Sequence, residues 1–461
     1  MIAFDPGSFK DPSGRVFYHD RWACRTLTSE ARMHFDGARE LIGTLAGADL
    51  MLETDLVASS ALGLDRAEVG DFVLRQPTVP LVTYAYEWSF EMLRDAALVT
   101  LAILQKALAA DFVLKDANSF NILFDGNVPK LVDTASLEPY REGTTWQGYG
   151  QFCRSFLAPL LLASYRDLDA HQLLLGVMGE LPVDVAAKML RPADYFKPGV
   201  LKDVVFQARL DRSFARSTRT VKQTTSQIQF PKASLLAMAR RLEDIVSNLE
   251  RPDTPSEWSD YSRSHSYSPD DHTTKIAFVT RALAERRFAR IADLGCNAGE
   301  YSEAGVANGS FVIALDIDAR AIDQLYRRVP RGSSLTPVVA SLLKPTPAMG
   351  WGLRERGSLL DRVHADAFLA LALIHHLRIT GGIPLDRIVA QLMAIAPEGI
   401  VEWVDKQDSM VQAMLGLRQD VYDDYTQTNF EALLRAHAGI VATASTHEGR
   451  RQLYHVRRRA H

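Results

Sequence analysis

Two carboxylates stand where apolar runs end. Ile291-Ala292-Asp293-Leu294 leads into Gly295-Cys296-Asn297-Ala298-Gly299-Glu300, and Phe311-Val312-Ile313-Ala314-Leu315 ends at Asp316, followed by Ile317 and Asp318. An acid at the end of the second run is placed to accept hydrogen bonds from ribose hydroxyls. The glycines let the backbone approach a bound group closely and take positive φ without steric cost. Their spacing is Gly-x-x-x-Gly, not Gly-x-Gly-x-x-Gly, so a nucleoside without phosphates fits better than a phosphate cradle.

Such residues need a strand, a tight turn, a crossover helix and a parallel strand to position them. The apolar pattern continues in that style. A third strand is expected over 336–340, the apolar run Ala365 to Leu377 reads as a fourth, a helix is expected over 385–396 and a fifth strand over 399–404. Residues 443–456, divided by His447-Glu448-Gly449, fit an antiparallel hairpin. In an open α/β sheet the ligand crevice lies beyond the carboxyl ends of the strands. Leu371 to His376 would then border it.

With these residues in place, the C-terminal half resembles the class I S-adenosylmethionine-dependent methyltransferases, whose first motif reads Asp-x-Gly-x-x-x-Gly. The resemblance implies a Rossmann-like α/β domain with S-adenosyl-L-methionine as cofactor. Asp293 would meet the methionyl ammonium, Gly295, Asn297 and Gly299 would form the turn under the ligand, and Asp316 would take the ribose. Ile317 would lie against the adenine. Ser341 stands where the family commonly has an acid for the adenine amino group, and Leu371 would border the reactive methyl. The aromatic stretch Glu257 to Tyr267 would supply a lid, with Tyr261 and Tyr267 over the methionine moiety and Lys275 nearby. His375 and His376 resemble the His-His pair that follows this strand in many small-molecule methyltransferases. A neutral imidazole can take the proton released from a methylated hydroxyl or amine; both histidines also read as polar groups at a helix start. Cys296 reads as a small filler, since no base is specified beside it, and Asp318 as a solvated acid or a helix cap.

The N-terminal half carries another pattern. Asp116 is followed by Asn121 at Asp-x-x-x-x-Asn spacing, then by Ile122-Leu123-Phe124-Asp125-Gly126 and by Lys130-Leu131-Val132-Asp133. This resembles the catalytic loop and metal-binding acid of protein-kinase-like and aminoglycoside-phosphotransferase-like folds, where such oxygens hold magnesium. The departures are Leu114-Lys115 in place of the His before the catalytic Asp, no Gly-rich nucleotide loop, and no Val-Ala-x-Lys strand. The resemblance implies a degenerate kinase-like, α+β N-terminal domain. The whole chain also resembles two-domain bacterial methyltransferases through Tyr86-Glu87-Trp88-Ser89-Phe90-Glu91-Met92-Leu93, Asp116 to Phe124 and Leu371-Ala372-Leu373-Ile374-His375-His376-Leu377.

The expected domains are 1–220 (α+β), 221–270 (helical connector and cofactor lid) and 271–461 (methyltransferase). Ahead of the Asp116–Asp133 pattern, a hairpin is expected over 15–25, a helix from Ser29, β-like pieces near 51–57 and 80–84, and a long amphipathic helix over 88–109. Polar residues 212–229 read as a boundary, and Pro231 opens a helix to about Leu249.

At 461 residues the chain exceeds one ordinary domain. Its 47% apolar and 23% charged residues fit a globular protein, and a net charge of −4 argues against broad nucleic-acid or membrane affinity. Arg457-Arg458-Arg459 reads as a solvated tail. Cys24, Cys153 and Cys296 are few and scattered, which argues against disulfides or a zinc site and for a reducing, cytoplasmic setting. Residues 1–15 lack the pattern of a signal peptide, and no apolar run reaches membrane-span length. The expectation is a methyltransferase acting on oxygen or nitrogen of a small-molecule acceptor, with no metal of its own. The alternatives are a phosphotransferase in the N-terminal domain or a non-catalytic binder of the cofactor. Acceptor identity and oligomeric state stay open.

Overall fold

The computed structural model describes residues 2–209, 230–254, 269–416 and 419–459. The chain forms two compact units, Met1–Asp253 with Ala348–Arg356, and Thr254–Pro347 with Gly357–His461. The division thus falls at Asp253 and not near 220 and 270. The helix Lys232–Ser247 belongs to the first unit, where it buries Leu235, Ala239, Leu242 and Val246 and packs on the helix Phe90–Ala109. Residues 348–356, inside the expected methyltransferase half, belong to the first unit as well.

The first unit opens with a four-stranded antiparallel sheet of β1 (Val16–His19), β2 (Trp22–Thr26), β3 (Asp55–Ala58) and β4 (Phe72–Pro77), in the order β1-β2-β4-β3. The strand expected near 80–84 is instead β4. Its last residue, Pro77, has no N–H to donate to a ladder. Thr28 caps the helix Ser29–Gly47 by accepting from the Ala31 amide. The helix Phe90–Ala109 buries thirteen of its residues; a helix buried on most sides forms a core and not a surface. Beyond it lie two small ladders. β5 (Phe112–Leu114) pairs with β8 (Leu137–Pro139), and β6 (Ile122–Asp125) pairs with β7 (Val128–Leu131) across a turn where Gly126 has φ 63°. Buried Asp203 accepts both Arg241 terminal nitrogens (2.7 and 2.6 Å) and the Tyr149 hydroxyl (2.6 Å), which ties the helix Lys232–Ser247 to the helices beneath it.

The second unit is built on seven strands in the order β11-β10-β9-β12-β13-β15-β14. They are β9 (Arg290–Leu294), β10 (Phe311–Asp316), β11 (Leu335–Val339), β12 (Ala367–Ala370), β13 (Glu398–Val404), β14 (Ala438–Thr446) and β15 (Arg451–Arg458). The first five are parallel, and β15 runs antiparallel between β13 and β14. Every residue of β11, β12 and β13 is buried, as expected for parallel strands covered on both faces. This is an open α/β sheet closed by a C-terminal hairpin, as expected from the sequence. Strand order reverses at β9, which has β10 on one side and β12 on the other. Such a switch point opens a crevice at the carboxyl ends of the strands.

Two local readings need correction. The apolar run to Leu377 is not all strand: β12 ends at Ala370, Ala372 takes φ 50°, and a π-helical turn follows over His376–Thr380. Arg457 and Arg458 are not a free tail but close β15, where Arg457 pairs with Glu398 (2.8 Å) and Glu285 (3.2 Å). No helix among the described residues is long and apolar enough to cross a membrane.

Candidate functional site

Three residues of five in the turn after β9 adopt left-handed backbone: Gly295 (φ 76°), Asn297 (φ 50°) and Gly299 (φ 80°). Asn tolerates this region better than most residues, and here its side chain accepts the Ala298 amide at 2.6 Å. Gly299 is needed on two counts. Beyond its φ, a Cβ there would lie 2.4 Å from Leu325 Cδ1, on the helix Ala319–Arg328. The turn is fastened to β10, since the Gly295 and Cys296 amides both donate to the Leu315 carbonyl (2.8 and 2.9 Å).

Asp316 completes this frame. Its two oxygens accept the Asn297 amide (2.7 Å) and the Asp318 amide (2.8 Å). Burial pushes its carboxyl up to about 6, against the pull of the Asp318 and Asn297 amides. Asp293, on β9, accepts the Ser302 hydroxyl at 2.6 Å. Burial drives it up to about 7, with the Ser302 bond opposing and the Asp316 charge adding to the rise. Asp318 caps the helix Ala319–Arg328 through the Arg320 amide, which resolves its two readings in favour of the cap. Cys296 is buried, and that burial holds its thiol well above the usual range.

These groups line a cavity of about 540 Å³ at the switch point. Of the residues named from sequence, it gathers Asp293, Gly295, Asn297, Asp316, Ile317, Ser341, Leu371 and His376. Ile317 is 56% exposed and offers a flat apolar face. Gly299 stands behind the lining and shapes the turn. Tyr261 and Tyr267 lie outside the described residues.

The two adjacent histidines part company. His376 lines the cavity; His375 does not, and neither of its ring nitrogens has a hydrogen-bond partner. Their rings stack at 4.1 Å with a 40° tilt. Burial lowers His376 to about 4 and takes His375 well below its ordinary value, so both are neutral near pH 7. The π-helical turn that presents His376 is pinned from outside. Arg378 pairs with Asp424 at 2.5 Å, and the Tyr422 hydroxyl donates to the Ile379 carbonyl at 2.9 Å.

Lys275 was expected near the methionine moiety, whereas its partner Glu402 and the other cavity groups below were not assigned from sequence. Lys275, on the helix Pro269–Ala284, lines the cavity with its ammonium 2.7 Å from Glu402 of β13 and 4.7 Å above the Tyr301 ring. His272 meets Glu300 at 2.6 Å, and Leu342, Leu343 and Thr380 form further wall. One signal for Glu402 was present: a carboxylate inside the apolar run Ile400-Val401-Glu402-Trp403-Val404 must be paired if that run is a central strand.

In the first unit, Asn121 and Asp133 come together through Ser136, which receives from the Asn121 amide (3.1 Å) and donates to Asp133 (2.5 Å). The other Asp133 oxygen accepts Arg25 (2.7 Å) and the Ala135 amide (3.1 Å), and Arg25 also pairs with Asp11. Asp116 instead accepts Gln151 at 3.3 Å.

Comparison with known proteins places the chain in a family. It is 33% identical over 451 residues to nodulation protein NoeA of Rhizobium meliloti (strain 1021), covering 97% of this chain and 94% of that one. The chain belongs to the NoeA family. No family model matches it. Among solved structures, N-methyltransferase NodS from Bradyrhizobium japonicum WM9 aligns with 42% of this chain and 99% of its own (12% identity, TM-score 0.31). Magnesium protoporphyrin IX methyltransferase from Synechocystis PCC 6803 aligns with 45% and 90% (15%, 0.31), and WbdD with 47% and 46% (15%, 0.31). At such TM-scores the fold rests on the strand order itself and not on these likenesses.

Proposed function

We propose that the second unit is an S-adenosylmethionine-dependent methyltransferase acting on an oxygen or nitrogen of a small-molecule acceptor. The observation that carries this reading is the pair Asp293 and Asp316 at the ends of adjacent strands, around a left-handed turn that borders one cavity. The residues suit the cofactor by their chemistry. Asp316 offers carboxylate oxygens to ribose hydroxyls, Ile317 an apolar face to the adenine, and Ser341 a hydroxyl to its amino group. Asp293 and Lys275 present opposite charges to the ammonium and carboxylate of an amino-acid end. Gly295 and Asn297 keep the floor free of bulk, and Leu371 adds apolar wall.

When bound, this cofactor supplies a methyl group on a sulfonium already primed for attack. The protein's contribution is then to hold the acceptor in line and to keep water out. His376, neutral and at the cavity wall, would accept the proton that leaves a hydroxyl or amine. His375 would act only through the ring stack. Calorimetry with S-adenosylhomocysteine tests the reading; no binding at millimolar ligand, or equal binding by Asp316→Ala, rejects it. A protein that only holds the cofactor would bind it but methylate nothing in a metabolite screen.

The phosphotransferase reading of the first unit has less support. Both oxygens of Asp133 are engaged, one of them by a guanidinium, where magnesium would need them. Magnesium-ATP added to the full chain should give no thermal shift that Asp133→Asn removes.

A further inference from the structure

Residues 349–356 fold as a hairpin tip within the first unit. Met349 and Arg356 close it with two backbone bonds (2.9 and 3.0 Å), and the buried Glu355 carboxylate accepts the Trp351 amide at 2.9 Å. The Lys10 ammonium meets both Glu355 oxygens (2.8 and 2.9 Å). A Cβ on Gly7 would stand 2.7 Å from the Glu355 carbonyl oxygen. The tip is thus fastened to residues 4–11 of the same unit.

Large apolar side chains stand in water on this tip. Trp351 is 76% exposed and Leu353 68%, and Phe9, whose ring centre is 5.6 Å from the Lys10 ammonium, is 41% exposed. Single exposed apolar residues are ordinary on a folded surface. Here three are gathered around one ion pair. The backbone sharpens the point. Leu353 takes φ 56°, directly after Gly352 at φ 62°. A bulky residue rarely adopts that left-handed region, and burial does not hold this one there. Strained residues of this kind cluster at ligand-binding sites.

Charge narrows the occupant. Three acids lie in residues 4–11 and 349–356, and all are engaged. Asp5 accepts the Gly7 amide (2.7 Å) and the Tyr18 hydroxyl (3.1 Å), Asp11 accepts the Ser13 amide (2.8 Å) and pairs with Arg25, and Glu355 is held by Lys10. The cations face outward. The Lys10 side chain is 60% exposed, and Arg354 is exposed and enters no ion pair among the described residues. Tryptophan and leucine at an apex, with lysine and arginine at its flank, match a bilayer surface. The apolar groups enter the headgroup boundary while the cations stay level with anionic headgroups. A protein partner is the poorer match, since lysine is depleted in protein interfaces.

We propose that residues 349–356, with Phe9 and Lys10, are a membrane-contact site that inserts Trp351 and Leu353 into the surface of an anionic lipid bilayer. The site needs no spanning helix, and so few inserted side chains make binding weak and reversible. The net charge of −4 gives no broad attraction, so the affinity is local to the tip.

Flotation of the full chain with vesicles of equimolar phosphatidylglycerol and phosphatidylcholine, and with phosphatidylcholine alone, tests it. Partitioning should favour the anionic vesicles and fall in about 0.5 M salt, where exposed charges are screened. Trp351→Ser and Leu353→Asn should each weaken it about tenfold, the effect of one large apolar side chain staying in water. Asparagine tolerates the left-handed turn, so Leu353→Asn keeps the tip's shape. Arg354→Gln should narrow the preference for anionic lipid. Phe196→Ser removes a ring that is 94% exposed on the turn Pro192–Phe196 and should change nothing. Brominated lipid should quench the tryptophan emission of the unaltered chain, and Trp351→Phe should still float but be quenched less. If Trp351→Ser fails to fold, that quenching difference and Leu353→Asn decide. No flotation of the unaltered chain with anionic vesicles, or equal flotation by Trp351→Ser and Leu353→Asn, overturns the proposal. So does loss of self-association in Trp351→Ser without vesicle binding by the unaltered chain, which would make the tip a contact between copies.

Discussion

The Lys275 ammonium lies 2.7 Å from the Glu402 carboxylate, and the two side chains are 3% and 0% exposed. A buried pair of this kind gains little over an apolar replacement of both partners, yet is costly to break from one side. Its value here is geometric, because it holds a cation at the cavity beside Asp293.

Lys275→Met should therefore destabilise the second unit by about 3–5 kcal/mol, since it strands the Glu402 charge. Lys275→Met with Glu402→Gln should recover most of that loss. Urea unfolding of the three proteins measures both. A double variant as unstable as the single one would mean that Glu402 is not the reason.

The acids of the cavity set a pH dependence with two opposite signs. Burial raises Asp293 to about 7 and Asp316 to about 6, above the unfolded value of about 3.9. The folded state holds these protons more tightly. Their contribution to stability is thus fully present below about pH 4 and is lost as pH rises through 6 to 7. A cationic ligand needs Asp293 ionised, so affinity for S-adenosylmethionine should rise about tenfold from pH 5.5 to 7.5. Titration calorimetry on Asp293→Asn should show that rise flattened.

His376 is neutral across the working range because burial lowers it to about 4. His376→Ala should cut turnover by about 10² or more, the usual contribution of a positioned base, while leaving S-adenosylhomocysteine affinity within about twofold. The pH profile of the unaltered enzyme should show no inflection from this group between 5.5 and 8. Full turnover in His376→Ala would remove its proposed role.

Gly299→Ala places a side chain at φ 80° and 2.4 Å from Leu325. The left-handed backbone alone costs about 1–2 kcal/mol, and the contact adds to it. Loss of S-adenosylhomocysteine binding with a lowered melting temperature is expected. Gly309→Ala, at a similar φ but in open space, should retain binding.

The C-terminal sheet and its turn were legible because their signals are local. Asp293, Gly295, Gly299 and Asp316 lie within 24 positions, and period and punctuation reveal the elements between them. The fourth strand was read too long, since an apolar run looks alike in strand and buried helix; only the left-handed Ala372 separates them. Lys275 and Glu402 stand 127 residues apart, and Lys10 and Glu355 stand 345 apart. No spacing rule joins such pairs. The tip sequence Met349-Gly350-Trp351-Gly352-Leu353 has no periodicity of its own, so its membership in the first unit could not be seen. The histidine pair was legible as a pair, but which ring faces the cavity depended on the π-helical turn at His376.

The chain passes from one unit to the other three times, at Asp253–Thr254, Pro347–Ala348 and Arg356–Gly357. No single cut can therefore yield both halves intact. A fragment ending at Asp253 lacks nine residues of its own body, and one beginning at Thr254 carries those nine as foreign chain. Separate expression of the halves therefore calls for grafting residues 348–356 onto the first and closing the gap they leave in the second.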